Sequence, residues 1–446
     1  MPLDHDSLEI LARALEKLEA GFSQLPEFSP AATGAARMHE VLLTLAEKLQ
    51  YNYPYFHPLY AGQMLKPPHP VARLAYSLAM HINPNNHALD GGRATSALEK
   101  EAVAEIAAMF GWKEFLGHLC GGGTMANLEA LWIAGQLHPG KNILASDQAH
   151  YTHGRISSVL QLPFEKIECD PRGRMDPDVL SKRVARGDVG TVVVTLGTTA
   201  TGSVDPLPEI LELRDRFGFR VHVDAAYGGY FVLASNLKEN TAKSFARIGE
   251  ADSIVIDPHK HGLQPYGCGC VLFRDPGVGR HYRHDSPYTY FSSAELHLGE
   301  ISLECSRPGA AAAALWATQE LLPLVRAGEF AKDLERGREA AWRFFHALSS
   351  GRNFLPAFEP ELDILVFVPR GESLEEISTE SRRIFAASAR EGLHLAVAEL
   401  PVKFWQHLAA DGGRATVTCL RSVLMKPEHL DWVDRIVKML EWAGQE

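Results

Sequence analysis

The stretch DSIVIDPHKHGLQPYGCGC, residues 252–270, decides how the rest of the chain is read. Its apolar run Ser253-Ile254-Val255-Ile256 has the length and β-branched content of a buried strand. The run ends in Asp257 and Pro258 and then sets Lys260 between His259 and His261. Lysine is seldom buried without a partner. Lys260 therefore either marks a surface turn or is held in a pocket where a neutral amine does chemistry. The answer depends on what the other strands end in.

Further strand candidates surround this one: NILAS (142–146), TVVVTL (191–196), RVHVD (220–224) and CVLF (270–273). Between two of them DPLPEILELRDRFG (205–218) reads as a helix. Such alternation from residue 90 to about 320 predicts crossover units and a mainly parallel sheet with both faces covered. The fold class is α/β. A smaller α/β unit follows, with helices over 329–349, 373–391 and 427–443 and strands over 363–368, 394–398 and 415–420. Two amphipathic helical segments open the chain, the second with Met38, Val41, Leu42, Leu45 and Leu49 on one face. They lead into YNYPYFHPLYAGQMLKPPHP (51–70), whose prolines, Pro70 included, predict a non-helical section. The expected units are a helical segment at 1–70, a large domain at 71–325 and a small domain at 326–446.

Composition narrows the class. The 446 residues are 46% hydrophobic and 22% charged, ordinary for a globular protein. The net charge of −11 is spread without a long block, which argues against nucleic acid or an anionic membrane as the main partner. No apolar run is long enough to span a bilayer and the N-terminus has acidic flanks, so a cytoplasmic protein is expected. Of six cysteines only Cys268 and Cys270 lie close together. With no second ligand pair at recognisable spacing, neither a metal site nor a disulfide framework is expected.

In parallel sheets chemistry gathers at the C-terminal ends of strands. Those ends carry Asp147 and His150, Thr198 and Thr199, Asp224 and Ala226, and Asp257 with Lys260. Upstream, CGGGTMANLEALWIA (120–134) is a glycine-rich turn running into a helix, a ready anion site. Each feature alone has a plainer reading: glycines make turns, buried histidines are often just satisfied, and Asp224 could cap a loop. His222 and Asp224 share a strand face but have no third metal ligand. Together, a phosphate cradle, an aromatic ring, a carboxylate and a lysine are the needs of pyridoxal phosphate. The lysine bonds the aldehyde, and the carboxylate keeps the pyridine nitrogen protonated.

SDQAHYTHGRI (146–156), TLGTTATGSVDPL (195–207), HVDAAYGG (222–229) and DPHKHG (257–262) resemble, in order and spacing, the group II pyridoxal-phosphate-dependent amino acid decarboxylases. That family belongs to the aspartate aminotransferase superfamily, fold type I. The resemblance implies a mainly parallel seven-stranded sheet between helices and a homodimer with active sites at the subunit interface. It makes Lys260 the Schiff-base lysine, His150 the residue stacked on the cofactor ring, and Asp224 the partner of the pyridine nitrogen, with Ala226 beneath the ring. Thr198 or Thr199 would orient Asp224. Gly123, Thr124, Met125 and Ala126, helped by His259, would bind the phosphate. Tyr60 and Gln63, in HPLYAGQM (57–64), fall in the substrate-side segment. Asn85 and Asn86 fall in NPNNHALDGGRATSALE (83–99), which resembles a stretch reaching the partner's site.

HDSPYTYFSSAELHLGEISLECSRPGA (284–310) resembles the family's mobile loop and a phosphate-contacting turn from the neighbouring subunit. There Tyr288 and Tyr290 are both candidates for the acid that protonates Cα, and Cys305 and Ser306 fall in the turn. That turn is closer to the lyase and archaeal-type versions. Arg421 is displaced from the family's usual strand position, and a surface or interface role is an equal expectation to gripping a carboxylate. The implied reaction is decarboxylation of an L-amino acid to its amine through a quinonoid intermediate. The alternative is a carbon–carbon lyase using the same electron sink.

Overall fold

The computed structural model describes residues 5–28, 34–283, 296–406, 408 and 415–445. Seven strands form the large sheet: β1 Leu116–Cys120, β2 Asn142–Ser146, β3 Phe164–Ile167, β4 Val189–Thr195, β5 Arg220–Asp224, β6 Ser253–Ile256 and β7 Gly269–Phe273. Their order across the sheet is β1-β7-β6-β5-β4-β2-β3. β3, β2, β4, β5 and β6 pair in parallel, while β7 runs antiparallel to both β6 and β1. The reversal has a cause in the connection. Parallel neighbours need a crossover, usually a helix, but residues 257–268 return directly. That return carries Lys260 across the ends of the parallel strands.

The middle of the sheet is sealed. Val192, Val193, Val194, Val221, Val223, Ile254 and Ile256 have no exposed surface. At about 1.5–3 kcal/mol for each such side chain, these strands form a stiff platform for the loops at their ends. A second, antiparallel sheet has the order β10-β11-β9-β8, from β8 Phe354–Pro356, β9 Ile364–Pro369, β10 Ala396–Pro401 and β11 Thr416–Val423. The two sheets share apolar core: Leu196, Val204 and Val223 pack in one cluster with Phe330, Leu334, Leu362 and Ile364.

Two local expectations change. Pro70 does not exclude helix but starts one, Pro70–Met80, where a missing N–H costs nothing and His69 Nδ1 accepts from Val71 N at 3.2 Å. β1, β3 and β8 appear where no strand was anticipated, because the runs of β1 and β3 are short and mixed in polarity and β8 is only three residues long. The helices His5–Ala20 and Ala35–Leu49 form as the periodicity predicts, and none of the second helix's residues is buried.

Candidate active site

The C-terminal ends of β4, β5 and β6 face the start of the helix Gly123–Leu137 across a cleft of about 600 Å³. Gly122–Met125, His150, Thr199, Asp224, Ala226, His259 and Lys260 all line it. These strand ends, far apart in sequence, therefore converge.

Asp224 is the best-supported side chain in the cleft. Its Oδ2 lies 2.8 Å from His153 Nε2 and 3.4 Å from the donating Asn127 Nδ2, and its Oδ1 accepts from Ala226 N at 3.1 Å. Burial alone would raise its pKa, but the hydrogen bond and charge of His153, with Lys260 beyond, outweigh it and hold the carboxyl well below its usual range. Behind this pair His222 bonds Ser253 Oγ through Nδ1 and Asn127 Oδ1 through Nε2, each at 2.8 Å. Burial pushes His222 down to about 3, so it is neutral at pH 7, and both its ring nitrogens are engaged in the relay rather than free for a metal. Among the described residues no group of three or more His, Cys, Asp or Glu could hold a metal ion.

Lys260 is less enclosed than the sequence suggests. Its side chain is 20% exposed, and its Nζ lies 3.1 Å from Asp257 Oδ2. It stands in the open cleft with a carboxylate partner instead of alone in the core. Asp257 also faces His259 Nε2 at 3.5 Å, and the other His259 nitrogen meets Cys268 O at 2.7 Å. The His259 ring lies against Tyr266, with centroids 4.7 Å apart. His150 is half-buried at the cleft wall, its Nδ1 2.8 Å from Thr152 Oγ1 and its ring against Tyr151.

The glycine turn fits an anion. Gly122 adopts φ +140°, open to glycine and strained for other residues, and begins the helix without a side-chain cap. A Cβ on Gly122 would come 3.2 Å from His259 Cε1, and one on Gly123 would come 2.7 Å from Asp257 Oδ2. Bare backbone therefore lines the cleft where the first helical N–H groups lack intrahelical acceptors. The donors, the buried carboxylate, the imidazole and the amine match the phosphate, ring nitrogen, ring face and aldehyde of pyridoxal phosphate.

Several anticipated residues lie elsewhere. Ala126 N is consumed by Gly122 O at 3.0 Å, so Ala126 is the helix's first bonded turn and not a phosphate donor. Thr198 is buried and bonds Thr201 Oγ1 at 2.8 Å and Ser203 N at 3.1 Å instead of Asp224, while Thr199 lines the cleft. Asn86 is fully buried, donating to Glu99 Oε2 at 2.6 Å and Thr95 O at 3.2 Å; it braces the core and cannot reach a substrate. Asn85 is half-buried and bonds Ser306 Oγ at 3.2 Å, in the turn that holds exposed Cys305. Tyr60 is buried against Tyr55 and His394 and does not line the cleft, and Gln63 is exposed. Gln63 sits near the rim, because Tyr266 OH donates to Met64 O at 3.0 Å. Arg421 is not a surface residue: it is buried and donates to the carbonyls of Gly62, Thr199 and Ala200. Tyr288 and Tyr290 lie outside the described residues.

Sequence reasoning passed over His153 and Asn127 as working residues, though both stand inside the quoted motifs, and it placed Asp257 at a strand end without giving it a role. It also missed Asp363, whose Oδ1 accepts from Tyr227 OH at 2.6 Å and whose Oδ2 lies 3.2 Å from His261 Nε2. Asp363 precedes β9, so the second sheet reaches the residue next to Lys260.

Residues 132–368 match the pyridoxal-dependent decarboxylase conserved domain. An L-tyrosine decarboxylase of Enterococcus faecium is 28% identical over 408 residues, covering 69% of this chain and 67% of that protein. A probable L-tyrosine/L-aspartate decarboxylase of Methanothrix thermoacetophila is 33% identical over 275 residues, 61% of this chain and 68% of the relative. The crystal structure of mouse CSAD superposes with a TM-score of 0.80 at 20% identity, covering 100% of both chains.

Proposed function

Because the chain belongs to the pyridoxal-dependent decarboxylase family, we propose that its cleft removes the carboxylate of an L-amino acid as CO2 and releases the amine. The observation that carries this reading is the meeting, in one cleft, of the bare glycine turn, His150, Asp224 and Lys260. When bound, pyridoxal phosphate supplies a protonated ring that accepts the electron pair left at Cα as CO2 departs.

The side chains divide the remaining work. Lys260 is the amine for the cofactor's aldehyde, and Asp257 at 3.1 Å holds its Nζ in the cleft. Gly123, Thr124 and Met125 offer backbone N–H groups to the phosphate, with His259 beside them. His150 and Ala226 would hold the ring between them and Asp224 would bond its nitrogen, the carboxylate itself kept charged by His153. Proton return to Cα falls to Tyr288 or Tyr290. Relatives named for tyrosine and aspartate make these two amino acids the first substrates to assay. Among the described residues no helix is long and apolar enough to cross a membrane. We place the enzyme in the cytoplasm as a homodimer.

The test is a screen of the twenty amino acids for CO2 release, with the amine product identified by mass. At least one should yield CO2 and its amine, and K260A should yield neither. Wild-type protein that releases no CO2 but splits a phosphorylated amino alcohol to an aldehyde would replace decarboxylation with carbon–carbon cleavage.

A further inference from the structure

The cleft is lined by three carboxylates, Asp224, Asp257 and Glu304, against one amine, Lys260. Two of the three face a nitrogenous side chain: Asp224 lies 2.8 Å from His153, and Asp257 lies 3.1 Å from Lys260. Glu304 is bound differently. Its Oε2 accepts from the backbone N–H of Gly121 at 2.9 Å, at the head of the glycine run that opens the helix Gly123–Leu137. Its Oε1 lies 3.1 Å from the point where a Cβ on Gly121 would stand, so the carboxylate rests directly on the glycine backbone.

The turn presenting Glu304 is anchored. Arg307 donates to Glu99 Oε1 at 2.7 Å and to Leu119 O at 2.5 Å, and Ser306 Oγ accepts from Asn85 at 3.2 Å. The carboxylate is thus held against the cradle by built contacts on its C-terminal side. Backbone N–H groups at the positive end of a helix attract any anion. A phosphate arriving at Gly123–Met125 would meet a negative charge already engaged at Gly121.

We propose that Glu304 is an internal anion that competes with the cofactor's phosphate for the glycine cradle and thereby sets how tightly the cleft holds it. The proposal rests on the pyridoxal phosphate reading of the same cleft. Its mark is selectivity: Glu304 opposes the phosphate and leaves the ring and aldehyde alone. Removing its charge while keeping its shape should tighten binding of phosphorylated ligands only, by roughly tenfold for like charges in a partly screened cleft.

The experiment titrates full-length protein, stripped of cofactor, with pyridoxal phosphate, with pyridoxal and with inorganic phosphate, following absorbance and thermal shift. E304Q should bind pyridoxal phosphate and inorganic phosphate about tenfold more tightly than wild type, with pyridoxal unchanged. E304D keeps the charge and should stay weaker than E304Q for both phosphorylated ligands. Unchanged or weakened phosphate binding in E304Q overturns the proposal. An equal gain for pyridoxal also overturns it, because the effect would then come from the shape of the turn. If no form binds pyridoxal phosphate, the functional reading fails separately, and the inorganic phosphate titration still decides the role of Glu304.

Discussion

His153 controls the charge of Asp224. A carboxylate as buried as Asp224 would ordinarily take up a proton, and the contact at 2.8 Å with His153, backed by Lys260 and the Ala226 N–H, keeps its pKa depressed. The sign of the pH effect follows from that depression. Its stabilising contribution is fully present above the unfolded carboxyl value of about 3.9 and is lost only as pH falls toward the lower folded value. Wild-type activity should therefore show no limb from Asp224 between pH 5 and 8. H153A leaves the carboxylate without its main hydrogen-bond partner, a loss of roughly 1.5–3 kcal/mol for a bond to a charged group. Burial then raises the carboxyl, so turnover should fall at least about tenfold and should climb with pH across the mildly acidic range. H153Q can still donate one hydrogen bond and should recover part of both. The check is kcat against pH with melting temperatures alongside. A flat profile in H153A would mean that Asp224 keeps its charge by other means.

At the scale of elements, the turn before the helix Gly123–Leu137 and the return between β6 and β7 must fit against each other. Gly123 is one tight point, since a Cβ there would stand 2.7 Å from Asp257 Oδ2 and 3.1 Å from Oδ1. G123A must move Asp257, the partner of Lys260. Overpacking of this kind costs about 1–3 kcal/mol. The variant should lose that much in chemical denaturation and bind pyridoxal phosphate more weakly, and a variant with wild-type cofactor affinity would show that the contact relaxes freely. This level also separates what the sequence reveals from what it hides. NILAS and RVHVD read as strands and are strands with the same limits, Asn142–Ser146 and Arg220–Asp224, because the short apolar run of the first and the alternating valines of the second are the two patterns a buried strand shows. LGHLC of β1 hides because it pairs only at the sheet edge, and His118 within it is satisfied by Glu129, 11 residues further on. Lys260 and Asp224 stand out at strand ends. Asn86 and Ala126 mislead because motif position cannot say whether an amide or N–H is already spent.

Over the whole molecule, the apolar surface of the N-terminal helices needs a partner that the described residues do not supply. The helix Ala35–Leu49 has no buried residue, and Val41, Leu42, Leu45 and Leu49 are all about half exposed, between 47% and 62%. A four-turn helix with one apolar face gains little stability alone and owes it to packing of that face. Before and after it in the chain, Phe22, Leu25 and Tyr51 are exposed as well. Contiguous apolar patches of this extent mark interfaces, and a second copy of the chain in the proposed homodimer would cover them symmetrically. Legibility in the sequence stops at this scale: heptad-like spacing declares the apolar face, but a single chain cannot declare what covers it. Sedimentation at micromolar concentration should give a dimer of the 49.1 kDa chain. The double variant L42E/L45E places two charges in the centre of the face and should shift the equilibrium to monomer by at least about a hundredfold, since burying either charge unpaired costs several kcal/mol. The monomer should keep the circular dichroism of the two sheets, whose cores lie outside this helix. A variant that sediments as wild type would place the dimer contact on another face of the molecule.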